Sequence, residues 1–145
     1  MNIKVEQIKT WQHYAYAAYV RTLVFIQEQN CPAKNEFDPL EDEAMHFLCW
    51  VNDELAGTAR CRILEGQTGK IERIAVLKHC RGQGAGRALV LHIESILKRM
   101  PDISFIVMSA QDHALPFYEK LGYQVIGAGY MEEGIAHHKI EMRVK

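Results

Sequence analysis

Residues 81–86 read Arg-Gly-Gln-Gly-Ala-Gly. They follow an extended apolar segment, Ile71 to Val76, and open an amphipathic one, Ala85 to Leu97. A strand, a glycine-rich turn and a helix start in that order make an anion cradle. Glycines let backbone N–H groups approach a ligand closely, and the first N–H groups of a helix are unpaired and carry partial positive charge. Phosphate is the usual occupant, and Arg81 and Arg87 flank the turn with charge for it. The run is not a Walker A loop, because no Gly-Lys-Ser/Thr follows at the required spacing. Gly82, Gly84 and Gly86 alternate, so it is not the GxGxxG dinucleotide fingerprint either. The plain alternative is a glycine turn ahead of an ordinary helix.

The hexapeptide also fits Arg/Gln-x-x-Gly-x-Gly/Ala, and so resembles the pyrophosphate loop of GNAT-type N-acetyltransferases. Residues 111–123, QDHALPFYEKLGY, resemble that family's second hallmark, Asn-x-x-Ala-x-x-Phe/Leu-Tyr-x-x-x-Gly-Phe/Tyr. Ala114, Phe117, Tyr118, Gly122 and Tyr123 fall in register, while Gln111 stands where the family usually has Asn. The segments VRTLVFIQEQNCPAKNEFDPLEDEAMH and EEGIAHHKIEM are similar to the ElaA-like and YjcF-like bacterial branch. The resemblance runs from about Val20 to Met142. It implies the GNAT acyl-CoA N-acyltransferase fold, an α/β arrangement with a central, mixed, mostly antiparallel sheet of six to seven strands and about four helices. It also implies acetyl-CoA as donor. The cofactor would be held by Ile74, Ala75 and Val76 along a strand and by the loop residues Arg81, Gly82, Gln83, Gly84, Ala85, Gly86 and Arg87. Gln111, Ala114, Phe117 and Tyr118 would complete that set.

The elements needed to position these residues can be read from the chain. Residues 3–8 suit a short strand, and Thr10 suits the N-cap of a helix running to about Glu28. Pro32 and Pro39 bracket a loop with room for a helical turn. Phe47–Val51 and Ala56–Leu64 read as strands paired about Asn52-Asp53, with a further strand over Lys70–Val76. In the helix Ala85–Arg99, Ala85, Leu89, Ile93, Ile96 and Leu97 form one stripe, with Arg87, Glu94 and Lys98 expected opposite. Ile103–Met108 is apolar enough for a central strand. A short helix over His113–Leu121 takes Pro116 in its first turn and Gly122 at its C′ position. Val125–Tyr130 and His137–Val144 close the sheet as a hairpin about Glu133-Gly134.

Acetyl transfer from a thioester to an amine needs a neutral amine, stabilised oxyanion charge, a proton for the departing thiolate and fixed geometry. Tyr118 is the candidate acid, since the family's motif places a tyrosine here for that role and a phenol can donate to a nascent thiolate. Its alternative is a packed aromatic; Tyr123 reads as core. Glu72 is a candidate base, because strict alternation puts it on the strand face of Ile74 and Val76. Its alternative is a solvent-facing strand acid. Glu28, Glu36 and Asp38 are candidates for the acceptor site, as are His46 and His137, each a histidine able to hold or deprotonate an amine. His137 and His138 point to opposite faces of a strand and do not suit one metal.

The 145 residues form one expected domain. Apolar content of 48% and a net charge of −1 fit a soluble protein with no call for nucleic acid or a bilayer surface. No apolar run reaches the roughly 20 residues that span a bilayer. MNIKVEQIKT has no signal-peptide core, so the cytoplasm is expected. Four widely spaced cysteines with no CxxC suggest free thiols and no metal site. Residues 28–43 carry six acids against one lysine, and residues 78–99 five basic residues against one acid, the latter coinciding with the phosphate loop. The expectation is an N-acetyltransferase acting on a primary amine of a small molecule or peptide, by direct attack in a ternary complex, as a monomer or homodimer. The rivals are a non-catalytic acyl-CoA sensor and a site for an unrelated nucleotide.

Overall fold

The computed structural model describes residues 1–145. The chain runs β1 (Ile3–Gln7), α1 (Trp11–Arg21), α2 (Ala33–Glu36), β2 (Met45–Val51), β3 (Glu54–Leu64), β4 (Thr68–Val76), α3 (Ala85–Arg99), β5 (Phe105–Gln111), α4 (Leu115–Lys120), β6 (Gln124–Glu132) and β7 (Ile135–Arg143). One seven-stranded sheet has the order β1-β2-β3-β4-β5-β7-β6. Neighbouring strands are antiparallel except β4 and β5. This is the expected element order and sheet type.

Two local signals act as read. The Thr10 side chain accepts from the His13 backbone N–H at 3.2 Å, and caps α1. The turns Asn52-Asp53 and Glu133-Gly134 place both central residues at positive φ, the conformation of tight hairpins. The first helix differs from the expectation. It is α-helical only to Arg21, and Thr22–Glu28 continues as a π-helix, a wider form that recurs near functional sites.

Helix α3 packs on one face of the sheet. Leu89, Val90, Ile93 and Leu97 are fully buried, each stabilising by about 1.5–3 kcal/mol relative to exposure. Leu97 lies so close to β4 that a Cβ on Gly69 would stand 2.8 Å from both its methyl carbons. Glu94 is a correction to the expected polar face. It is buried, because its carboxylate accepts from the Tyr123 hydroxyl at 3.1 Å beneath α4.

Helix α1 covers the opposite face over a buried ionic network. Arg21 and Arg60, each with a side chain 1% exposed, are its cations. Arg21 binds Glu36 at 2.7 Å and Glu41 at 2.8 Å. Arg60 binds Asp38 at 2.8 Å, Glu41 at 2.6 Å and Glu72. No buried side-chain nitrogen or oxygen lacks a partner. The local acidity of residues 28–43 is therefore largely counter-charge for these arginines. No helix is long and apolar enough to cross a membrane.

Glu41 makes the network sensitive to acid. Burial alone would raise its carboxyl, but hydrogen bonds from Arg21, Tyr14 and Arg60 outweigh it and lower the group from 4.5 to about 2. The folded value lies below the unfolded one, so its stabilisation is complete above the ordinary carboxylate range and is lost as pH falls toward 2. Asp38 and Glu72 shift the same way. The urea midpoint should therefore fall steadily between about pH 5 and pH 3, and Glu41→Gln should flatten part of that fall. A wild-type midpoint constant over that range contradicts the account.

Candidate functional site

The two halves of the sheet touch along a short seam. β4 pairs with β5 at only three positions, Thr68 with Phe105, Gly69 with Ile106 and Lys70 with Val107. Beyond them β5 pairs only with β7, and the strands splay. From Ile71 to Val76 the β5-facing edge of β4 has no strand partner. The splay opens a cleft of about 720 Å³ between β4 and β5, walled by Val24, Phe25, Glu28 and Gln29 on the π-helix side and by Glu132, Glu133 and His137 of the β6–β7 hairpin.

A bulge in β4 governs how side chains are dealt around this cleft. Thr58 pairs with Ala75 and Arg60 with Glu72, so Arg73 and Ile74 oppose a single residue of β3. Arg73 takes φ 55° to accommodate the extra residue. Alternation is thereby reset, and Glu72 falls on the face of Ala75, opposite that of Ile74 and Val76. This corrects the expected placement of Glu72. Its Oε2 is taken by Arg60 and its Oε1 by Arg62 at 2.9 Å. Burial would raise the carboxyl, but hydrogen bonds from Arg62 and Arg60 hold it below the usual range, which makes it a poor base.

The glycine loop begins at the wall of the cleft, where Arg81 lines it. Gly82 has φ 78° and Gly84 φ 93°, values that side chains adopt only with strain. No group in the chain accepts from the backbone N–H of Gly82, Gln83, Gly84, Ala85, Gly86 or Arg87. Six consecutive free donors at the start of a 15-residue helix fit a pyrophosphate. Arg81 spans the cleft mouth, donating to the Val76 carbonyl at 3.0 Å and to both Glu28 oxygens at 2.8 and 3.1 Å. Arg87 is exposed and makes no ion pair.

Tyr118 lines the cleft, half-buried, with no hydrogen-bond partner for its hydroxyl within the chain. Burial pushes its phenol up to about 12, so it keeps its proton at every physiological pH. Its ring meets Phe117 and Tyr123 edge-on, at 5.0 and 6.2 Å between centroids. Ala114 also lines the cleft, and Phe117 sits 3.9 Å from where a Cβ on Gly86 would be. Gln111 is engaged on both sides, donating to Gln29 at 3.1 Å and facing His113 at 2.6 Å.

The candidate acceptor residues separate into two groups. Glu28, Glu36 and His137 line the cleft, whereas His46 and Asp38 do not. His46 lies beyond the ionic network, its Nε2 2.9 Å from the Glu41 carbonyl and its ring edge-on to Tyr14. Glu36 is committed to Arg21 and to Arg73 at 3.2 Å, and Asp38 to Arg60 and to Arg73 at 3.1 Å. The sequence reading passed over Glu132, Glu133 and Ser109, which line the same cleft. The β6–β7 hairpin brings Glu132 beside His137, and nothing in the sequence marked that wall as part of the cleft.

The sequence profile of the acetyltransferase (GNAT) domain matches residues 6–144. The chain is 39% identical to YjcF, an uncharacterized N-acetyltransferase of Bacillus subtilis, over 83% of this chain and 86% of that protein. It is 34% identical to Escherichia coli ElaA over 81% of this chain and 79% of ElaA. The crystal structure of ElaA superposes with a TM-score of 0.84 at 24% identity, covering 97% of this chain and 99% of that one. A Bacillus subtilis acetyltransferase in complex with CoA superposes at 0.74 and 20% identity, covering 98% and 99%. The chain belongs to the GNAT acetyltransferase family, and its relatives are those of the ElaA and YjcF branch. It is an N-acetyltransferase with acetyl-CoA as donor.

The backbone cradle sets a direct expectation. Gly84→Asp adds a side chain at φ 93° and a negative charge among the free N–H groups. Acetyl-CoA affinity, measured by calorimetry, should fall at least about tenfold, a change of about 1.4 kcal/mol. Wild-type affinity in a folded variant removes the loop from donor binding.

Proposed function

We propose that the protein acetylates a primary amine of a small molecule or peptide by direct attack, with donor and acceptor bound together. The observation that carries this reading is the cleft itself. An unpaired strand edge and a protonated, unpartnered phenol line one cavity, and a row of free N–H groups begins directly after Arg81 on its wall.

Ile74, Ala75 and Val76 offer their backbone on the open edge of β4, where an extended chain can pair as an added strand would. The loop from Arg81 to Arg87 holds the phosphates. Bound acetyl-CoA supplies the acetyl group as an activated thioester. The chain contributes positioning and proton transfer. A free N–H on the β4 edge donates to the carbonyl oxygen as charge gathers there. Tyr118, held protonated by burial, donates to the departing sulfur.

The cysteines favour direct attack over an acyl-enzyme. All four are free and buried. Only Cys31 lines the cleft, and burial, with Glu133 and Glu36 nearby, raises its thiol. A thiol held in that form is a weak nucleophile.

Chromatographic measurement of CoA released from acetyl-CoA across amines, polyamines, aminosugars, amino acids and short peptides tests the reading. Amine-dependent release is expected. Acetyl-CoA binding with no release from any of them favours the sensor. Tyr118→Phe should lower kcat by roughly ten- to a thousandfold with little change in donor affinity. Unchanged kcat removes Tyr118 from the chemistry.

A further inference from the structure

The acceptor end of the cleft carries an arrangement that the donor does not use. His137 is 6% exposed and lies on β7 between Gln111 of β5 and Tyr130 of β6. Its Nδ1 is 2.6 Å from the Ile135 carbonyl. A carbonyl can only accept, so Nδ1 carries the proton, and in the neutral ring Nε2 is left with a bare lone pair. Nε2 lies 3.4 Å from Glu132 Oε2, and no hydrogen bond joins them. Two acceptors thus lie side by side where the buried imidazole meets the exposed carboxylate, an arrangement that suits a donor placed against both.

The surroundings fix the carboxylate and supply no such donor. Ser109 Oγ donates to Glu132 Oε2 at 3.2 Å and itself takes a hydrogen bond from the Tyr130 hydroxyl. The Tyr130 ring stacks on His137 with centroids 6.0 Å apart. Glu133 accepts from Asn35 at 2.9 Å, and Arg73 is committed to Glu36 and Asp38. Neither Arg73 nor Lys139 pairs with Glu132.

The geometry points to an ammonium seat formed by Glu132 and His137 Nε2, in which the acceptor's primary ammonium docks and gives up a proton to His137. This rests on the acetyl-transfer reading of the same cleft and specifies the form in which the amine arrives. The ammonium N–H bond breaks and its electron pair stays on nitrogen as the attacking lone pair. The proton forms a bond to Nε2, and the adjacent Glu132 carboxylate balances the resulting imidazolium. Primary ammonium ions fit this seat, and quaternary ammonium ions do not, having no N–H to offer the two acceptors.

The ring of His137 reports the seat without a known acceptor. Full-length protein carrying ¹⁵N-labelled histidine should show His137 protonated at Nδ1 and bare at Nε2 at mildly alkaline pH. Methylammonium chloride should shift its ring resonances, equal tetramethylammonium chloride should not, and Glu132→Gln should abolish the difference. The Nε2-protonated tautomer, or an equal response to both salts, overturns the seat. With any amine that releases CoA, His137→Asn keeps a donor for the Ile135 carbonyl but lacks Nε2. It should lower kcat by about 10²- to 10⁴-fold while acetyl-CoA affinity stays within about twofold. An unchanged kcat overturns the proton transfer. Glu132 is largely exposed, so Glu132→Gln should fold and mainly raise KM for the amine. Failure of every amine to release CoA overturns acetyl transfer alone, since the resonances test the seat separately.

Discussion

One extra residue in β4 sets the geometry on which the rest depends. At Arg73 the strand bulges, and pairing with β5 stops at Lys70, three residues earlier in the chain. Regular pairing up to Val76 would have consumed the edge that faces the cleft and closed the cavity. The sheet keeps its pairing with β3 on both sides of the bulge while leaving an unsatisfied edge within its own middle. Such an edge is costly unless water or a ligand occupies it, and an extended amide chain is the kind of group that satisfies it.

The ionic network beneath α1 holds the bulge in place. The bulge turns Glu72 toward Arg60, and Arg73 reaches Glu36 and Asp38 on the segment that follows α1. Strand, helix and loop are therefore tied through a few buried guanidinium groups. Burying such charges brings little net stability, but removing one partner strands the others, so the arrangement enforces a single conformation. Rigidity on this side suits a site whose catalysis rests on positioning.

Most of the fold was legible because its signals are local. Alternation, the Thr10 cap, the Asn52-Asp53 and Glu133-Gly134 turns and the stripe of α3 each depend on a few adjacent residues. The glycine turn ahead of α3 was legible for the same reason, since Gly82 and Gly84 serve the backbone at positive φ. The misplacement of Glu72 came from applying strict alternation across a bulge that no residue type announces. Glu94 was misread because its partner, Tyr123, is distant in sequence and approaches only when α4 folds over α3. The wall carrying Glu132 and Ser109 escaped notice for a related reason. The strands that bear these residues meet the cleft only through the order β5-β7-β6, which the sequence does not state.

The proposed donor cradle is made of peptide groups, while the hairpin wall of the cleft is made of side chains. Peptide N–H groups persist through almost any substitution that spares the turn's backbone shape. Carboxylates at an exposed turn change with single codons. The molecule thus has a fixed socket for one common reagent and an interchangeable fitting for whatever receives it. A lineage built on this plan can shift from one recipient to another by drift at Glu132, Glu133 and their neighbours, while the investment in the shared reagent stays intact.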